Sequence, residues 1–125
     1  MAKRVLLAED EPNIVESLTF LLERAGFDVA VETDGRKALD KALADTPDVL
    51  ILDVMLPEID GYEILRQLRA DRRADRLPVL MLTAKGQRED RDTALECGAD
   101  LFITKPFANS EIVAAVVKLA DGRPA

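Results

Sequence analysis

Pro47-Asp-Val-Leu-Ile-Leu-Asp53-Val-Met-Leu-Pro57 holds an unbroken apolar run, Val49 to Leu52, between two prolines. A run that short, with no polar alternation, reads as a strand buried on both faces, the kind found in parallel sheets. Asp53 stands where the strand runs out. A carboxylate there loses hydration, a cost that a cation can offset, so a turn or cap residue and a charged site are its two readings in isolation. The rest of the chain separates them.

On the N-terminal side, Arg4 to Ala8 is another short apolar strand, stopped by Glu9-Asp10-Glu11 and by Pro12, which suits a helix's first turn. Ile14, Leu18, Leu21, Leu22 and Ala25 recur at helical spacing, and Gly26 ends that helix as a left-handed cap. Phe27 to Val31 reads as a strand, Asp34-Gly35 as a turn, and Ala38, Leu39, Ala42 and Leu43 mark a second helix. On the C-terminal side, the loop from Pro57 to Gly61 leads to a helix with Ile64, Leu65 and Leu68 inward. Pro78 opens a strand, Val79 to Leu82, ending at Thr83-Ala84-Lys85-Gly86. A weaker helix from about Arg88 to Cys97 offers only Ala94 and Leu95 as an apolar face, and Gly98 caps it. Asp100 to Thr104 is a fifth strand. After Lys105-Pro106-Phe107, a helix from about Asn109 carries Ile112, Val113, Val116, Val117 and Ala120. The expected domain is 1–121, with 122–125 a tail or the start of a linker.

Composition narrows the function classes. A chain of 125 residues suits one domain with a core that needs no disulfide or metal staple. The single cysteine, Cys97, fits a reducing compartment and a small buried or half-buried role. No apolar run reaches the length of a membrane span and the start is too short for a signal peptide, so the expectation is a cytoplasmic protein with no membrane partner. A net charge of −7 argues against direct nucleic acid binding. The arginines and aspartates alternating from Arg66 to Arg76 read as a solvated helix end and loop. Histidine is absent, which excludes an imidazole base, a histidine ligand and a phosphohistidine on this chain.

Five strands alternating with five helices predict a three-layer α/β domain, because parallel neighbours need right-handed helical crossovers. Ligands of such sheets sit beyond the carboxyl ends of the strands. Those ends carry Glu9-Asp10, Asp53, Thr83 and Lys105. Phosphate-binding folds put glycine or hydroxyl residues after the first strand, whereas here three acids stand. Crowded carboxylates share a proton or bind a cation, and oxygen ligands without cysteine or histidine favour Mg2+. A carboxylate beside Mg2+, a lysine and a hydroxyl suits phosphoryl transfer to an aspartate. Asp53 attacks phosphorus, the metal and Lys105 neutralise its oxygens, and Thr83 donates a hydrogen bond to one of them.

With Glu9-Asp10, Asp53, Thr83-Ala84 and Lys105-Pro106-Phe107 in this order, the sequence resembles the response-regulator receiver domains of two-component signalling, from about Arg4 to Ala120. The resemblance implies a doubly wound, flavodoxin-like sheet of strand order 2-1-3-4-5. It implies Asp53 as phosphoacceptor, Asp10, Asp53 and the Met55 backbone carbonyl as Mg2+ ligands, and Glu9 as a ligand through water. Thr83 and Phe102 resemble the switch pair. Lys105 resembles the phosphate-contacting lysine, with a cis peptide before Pro106. The implied donor is a phosphohistidine on a sensor histidine kinase or phosphotransfer protein. The implied output is a downstream effector or a second receiver, met through the face of the fourth helix, fifth strand and fifth helix. Such a domain is not an enzyme and has at most slow self-catalysed phosphorylation and dephosphorylation.

The sequence also departs from that pattern. Phe102 stands where many members have tyrosine, which favours the inward, buried orientation. Arg91 and Glu111 match charges that link two receivers in relatives with DNA-binding domains, whereas Leu101 and Ala115 replace charges there. Met55 and Lys85 flank the path of attacking water, so slow loss of the phosphoryl group is expected. A Mg2+-dependent aspartate-nucleophile phosphatase is the enzymatic alternative, but it needs an acid where Met55 stands. A flavin or dinucleotide module needs a glycine-rich loop that is missing. A degenerate receiver acting only as a protein-binding module is opposed by the intact set Asp10, Asp53, Thr83 and Lys105.

Overall fold

Strand and helix alternate throughout the computed structural model, which describes residues 2–84 and 88–121. The order is β1 (Arg4–Ala8), α1 (Pro12–Arg24), β2 (Asp28–Glu32), α2 (Gly35–Asp45), β3 (Val49–Asp53), α3 (Gly61–Arg69), β4 (Val79–Thr83), α4 (Arg88–Glu96), β5 (Leu101–Thr104) and α5 (Asn109–Asp121). Lys85 and the tail 122–125 lie outside the described residues. The sheet is parallel in the order β2-β1-β3-β4-β5. Every residue of β3 and β4 is buried, whereas β2 and β5, at the sheet's edges, are mostly half-buried.

The period of two along each strand divides the core into two layers. Leu6, Leu50, Leu52, Val79 and Met81 face Leu39, Leu65, Leu68 and Ala94 of α2, α3 and α4. Val5, Leu7, Val49, Ile51, Leu80 and Leu82 face Leu18 and Leu22 of α1 and Ile112 and Val116 of α5. Both faces are thereby covered, which is why the strands read as continuous apolar runs. Register then aligns the carboxyl ends: Ala8 pairs with Leu52, Asp53 with Leu82, and Thr83 with Thr104.

Local chemistry sets the helix ends. Asp34 and Asp60 cap α2 and α3, their side chains accepting from the N–H groups of Lys37 at 3.1 Å and Glu63 at 2.9 Å. Pro12 occupies the first turn of α1, and Gly26 and Gly98 turn the chain after α1 and α4 with φ of 98° and 105°. Asp34-Gly35 is not a free turn, because Gly35 is the first residue of α2. A Cβ at Gly35 would lie 2.3 Å from the Ile59 carbonyl oxygen, and one at Gly61 would lie 2.6 Å from that of Asp53. These two close approaches seat the N-termini of α2 and α3 against the loop that carries Met55.

Some inward expectations are corrected. Leu95 is 46% exposed and Val117 39%, while their neighbours Ala94 and Val116 are buried. Consecutive helical residues point about 100° apart, so only one of each pair reaches the sheet. The second strand begins at Asp28, one residue later than expected, where pairing with Arg4 starts. Cys97 is a free, half-buried thiol packed against the core, as expected. Arg69 turns inward, in contrast to the solvated run expected from Arg66 to Arg76.

Candidate phosphorylation and metal site

Four strand ends deliver Glu9, Asp10, Asp53, Thr83 and Lys105 to one rim. The ladder continues past the strands, with Glu9 N–H donating to Glu32 at 3.1 Å, Val54 N–H to Leu82 at 2.9 Å and Lys105 N–H to Thr83 at 2.7 Å. These bonds fix the backbone under each functional side chain.

Glu9 is wholly buried. Its Oε2 accepts from the N–H groups of Asp10 and Glu11, both at 3.1 Å. Its Oε1 lies 3.1 Å from Lys105 Nζ, an ion pair without hydrogen-bond alignment. Asp53 is 3% exposed. Its Oδ1 accepts from Met55 N–H at 3.1 Å, and its Oδ2 accepts from Lys105 Nζ at 3.0 Å. Asp10 is exposed, and one carboxylate oxygen from each of Glu9, Asp10 and Asp53 falls within 4.8 Å of the others. Thr83 is buried at the end of β4. Phe102 is half-buried and packs against the layer beneath α2, α3 and α4, two residues before the end of its strand. The peptide between Lys105 and Pro106 is cis.

Burial pushes the Glu9 carboxyl up to about 7, helped by a hydrogen bond to Asp53 and by that residue's charge. The Glu11 N–H and Lys105 oppose the shift. Burial lowers Lys105, but its hydrogen bond to Asp53 and the charges of Asp53 and Glu9 outweigh that and hold the ammonium above lysine's ordinary value. Three carboxylates against one lysine leave the rim short of positive charge. An oxygen-only donor set in that condition fits a hard divalent cation.

The shift on Glu9 gives a stability profile. Its folded value, about 7, exceeds its ordinary 4.5, so the folded chain binds the proton more tightly than the unfolded one. That contribution is fully present below pH 4.5 and is lost as pH rises through about 7. Urea unfolding of the metal-free protein is expected to show this loss. Glu9→Gln should flatten the profile in that window, and a profile identical to wild type would refute the assignment to Glu9.

The rim thus assembles the five side chains expected from the sequence and adds backbone donors that the sequence did not reveal, at Asp10, Glu11 and Met55. Acids flanked by an N–H one or two residues on are too common for spacing alone to signal such bonds.

Comparisons place this geometry in a family. The family model described as the response regulator receiver domain matches residues 5–117. The chain is 47% identical over 116 residues to the alkaline phosphatase synthesis transcriptional regulatory protein PhoP of Bacillus subtilis (strain 168), covering 93% of this chain and 48% of that protein. It is 42% identical over 113 residues to the DNA-binding dual master transcriptional regulator RpaA of Synechocystis, covering 90% and 47%. The chain therefore spans about half the length of these curated relatives. Among solved structures, the receiver domain of Francisella response regulator 1452 matches with a TM-score of 0.90 at 32% identity, over 96% of this chain and 98% of that one. The chemotaxis response regulator CheY4 of Vibrio cholerae matches with a TM-score of 0.89 at 29% identity, over 95% and 99%. The chain belongs to the response regulator receiver domains, whose part in two-component signalling is to accept a phosphoryl group.

Proposed function

We propose that Asp53 is the phosphoacceptor and that Asp10, Asp53 and the Met55 backbone carbonyl hold Mg2+, with Glu9 contributing through water. The observation that carries this is the contact of Asp53 Oδ2 with Lys105 Nζ at 3.0 Å, beside two further carboxylates. One Asp53 oxygen attacks phosphorus as the bond from phosphorus to the donor's imidazole nitrogen breaks, and that nitrogen leaves with the bonding pair. Lys105 and the Thr83 hydroxyl bind the phosphoryl oxygens and orient the group. The metal supplies charge neutralisation at those oxygens when bound.

The donor is a phosphohistidine on a sensor histidine kinase or phosphotransfer protein, the partners of response regulator receivers, and the absence of histidine from this chain fits that reading. Drawing Thr83 toward the new oxygens makes room for Phe102 to move further inward, which remodels the face of α4, β5 and α5 that an effector or a second receiver meets. Both curated relatives bear names of transcriptional regulators, so control of transcription through a further domain is the proposed output. This domain does not itself contact nucleic acid. Among the described residues no helix is long and apolar enough to cross a membrane, and we place the protein in the cytoplasm. The receiver comprises residues 1–121.

Self-catalysed turnover is slow in this reading. Met55, two residues past Asp53, is exposed and apolar, and has no group to activate water or to serve as the acid/base of an aspartate-nucleophile phosphatase. Incubation with acetyl phosphate and Mg2+ should add one phosphoryl group by intact mass, and chelation should abolish the gain. In parallel, Asp10→Asn is expected to weaken Mg2+ by more than about tenfold, since even groups that only support a ligand contribute about that much. Equal Mg2+ affinities in titrations of the two proteins would remove Asp10 from the site.

A further inference from the structure

Arg69, the last residue of α3, has a side chain only 20% exposed. Its Nε and Nη2 both donate to the Gly98 carbonyl, at 3.0 and 2.7 Å. Nη2 also donates to Asp100 Oδ2 at 3.2 Å, and Nη1 donates to the carbonyls of Ala74 at 3.2 Å and Asp75 at 3.4 Å. Asp100 Oδ2 in turn accepts from Val79 N–H at 2.8 Å. One guanidinium thus joins the end of α3, the loop after it, the start of β4 and the turn between α4 and β5. Gly98 completes the arrangement: its φ is 105°, and a Cβ there would lie 2.9 Å from both Cγ and Nε of Arg69. Two bonds on one carbonyl with others on the loop require a planar fork, which lysine lacks.

The described side chains of α4 bury little apolar surface. From Arg91 to Glu96, Ala94 is buried and Arg91, Asp92, Thr93, Leu95 and Glu96 are exposed. The next residues against the core, Cys97 and Ala99, lie past the helix. Few buried apolar contacts over Arg91 to Glu96 mean a low cost of local opening there, so the fork on Gly98 is a principal tie of this part of α4 to the fold.

We propose that Arg69 is a positioning residue for the output face: by clamping Gly98 it fixes the C-terminal end of α4 and makes that end the pivot of any α4 displacement. The clamp stands on its own geometry. Only the cause of the displacement, chemistry at Asp53, rests on the function proposed above.

Amide hydrogen exchange of wild type, Arg69→Ala and Arg69→Lys tests it. The N–H groups of Gly98, Ala99 and Asp100 donate to Leu95, Ala94 and Val79, so they are protected while the clamp holds. Both variants should exchange at these three positions about tenfold faster or more. Leu7 and Ile51, central in β1 and β3, should change less and serve as the record of global stability. An equal rise at all five sites, or none, overturns the proposal, and so does a wild-type pattern in Arg69→Lys. Should Arg69→Ala not fold, Arg69→Lys decides alone. With Mg2+ and beryllofluoride, NMR shifts carried along α4 should stop at Gly98 in wild type, while β5 responds separately through Phe102, and in the variants they should also reach Ala99 and residues 70–77. The same spread in wild type overturns the pivot. No response in any protein instead counts against Asp53 chemistry, and exchange still decides the clamp.

Discussion

Asp53→Asn is expected to gain no phosphoryl group from acetyl phosphate and Mg2+ under conditions where the wild-type chain gains one. A carboxylate oxygen carries the charge and lone pair that attack phosphorus, whereas an amide spreads its lone pair into the carbonyl and cannot replace it. The fold should survive. Asparagine nearly matches aspartate in shape, its carbonyl can still accept from Met55 N–H, and Glu9 no longer faces a second buried carboxylate. Intact mass and urea unfolding on the same preparation separate loss of chemistry from loss of structure. A folded Asp53→Asn that gains the phosphoryl group at the wild-type rate would remove Asp53 from its role.

Lys105→Ala is expected to slow phosphoryl uptake by about 10²-fold, the usual consequence of removing one preorganised donor from developing phosphoryl or oxyanion charge. Its Nζ lies 3.0 Å from Asp53 and 3.1 Å from Glu9, so the ammonium is held in place before any donor arrives. Without it, the two buried acids lose their cation and Glu9 retains its proton to higher pH. Lys105→Arg keeps the charge but spreads it over a planar fork that does not fit the same point, so it should recover only part of the rate. Quenched time courses followed by mass would measure both variants. Wild-type kinetics in Lys105→Ala would show that this lysine does not meet the phosphoryl oxygens.

The architecture was legible wherever burial on both faces suppressed polar residues. Val49 to Leu52 and Val79 to Leu82 could hardly be read otherwise, and the acids at the end of β1 stood out because a helix's first turn followed at Pro12. Less legible were features that depend on distant partners. Gly35 looks like a turn glycine in the sequence, yet it is needed because Ile59, 24 positions away, presses on it. Arg69 is indistinguishable from its neighbours until α3 and the turn at Gly98 come together. Leu95 looks like core beside Ala94, although the helix lets only one of them face the sheet. At the site, residue types and order pointed to the chemistry, but nothing local distinguished buried Glu9 from exposed Asp10. That difference comes from the end of β1, where Glu9 is still tied to Glu32 beside the sheet.

The central claim is that the phosphoryl group resides on Asp53, and the most direct measurement locates it chemically. Borohydride reduces an aspartyl phosphate to homoserine, releasing phosphate and leaving a permanent mark on the peptide chain. Wild-type protein phosphorylated with acetyl phosphate and Mg2+, reduced, digested and sequenced by mass spectrometry should carry homoserine at position 53 and aspartate at position 10. Homoserine at position 10, or at any acid other than Asp53, would contradict the account.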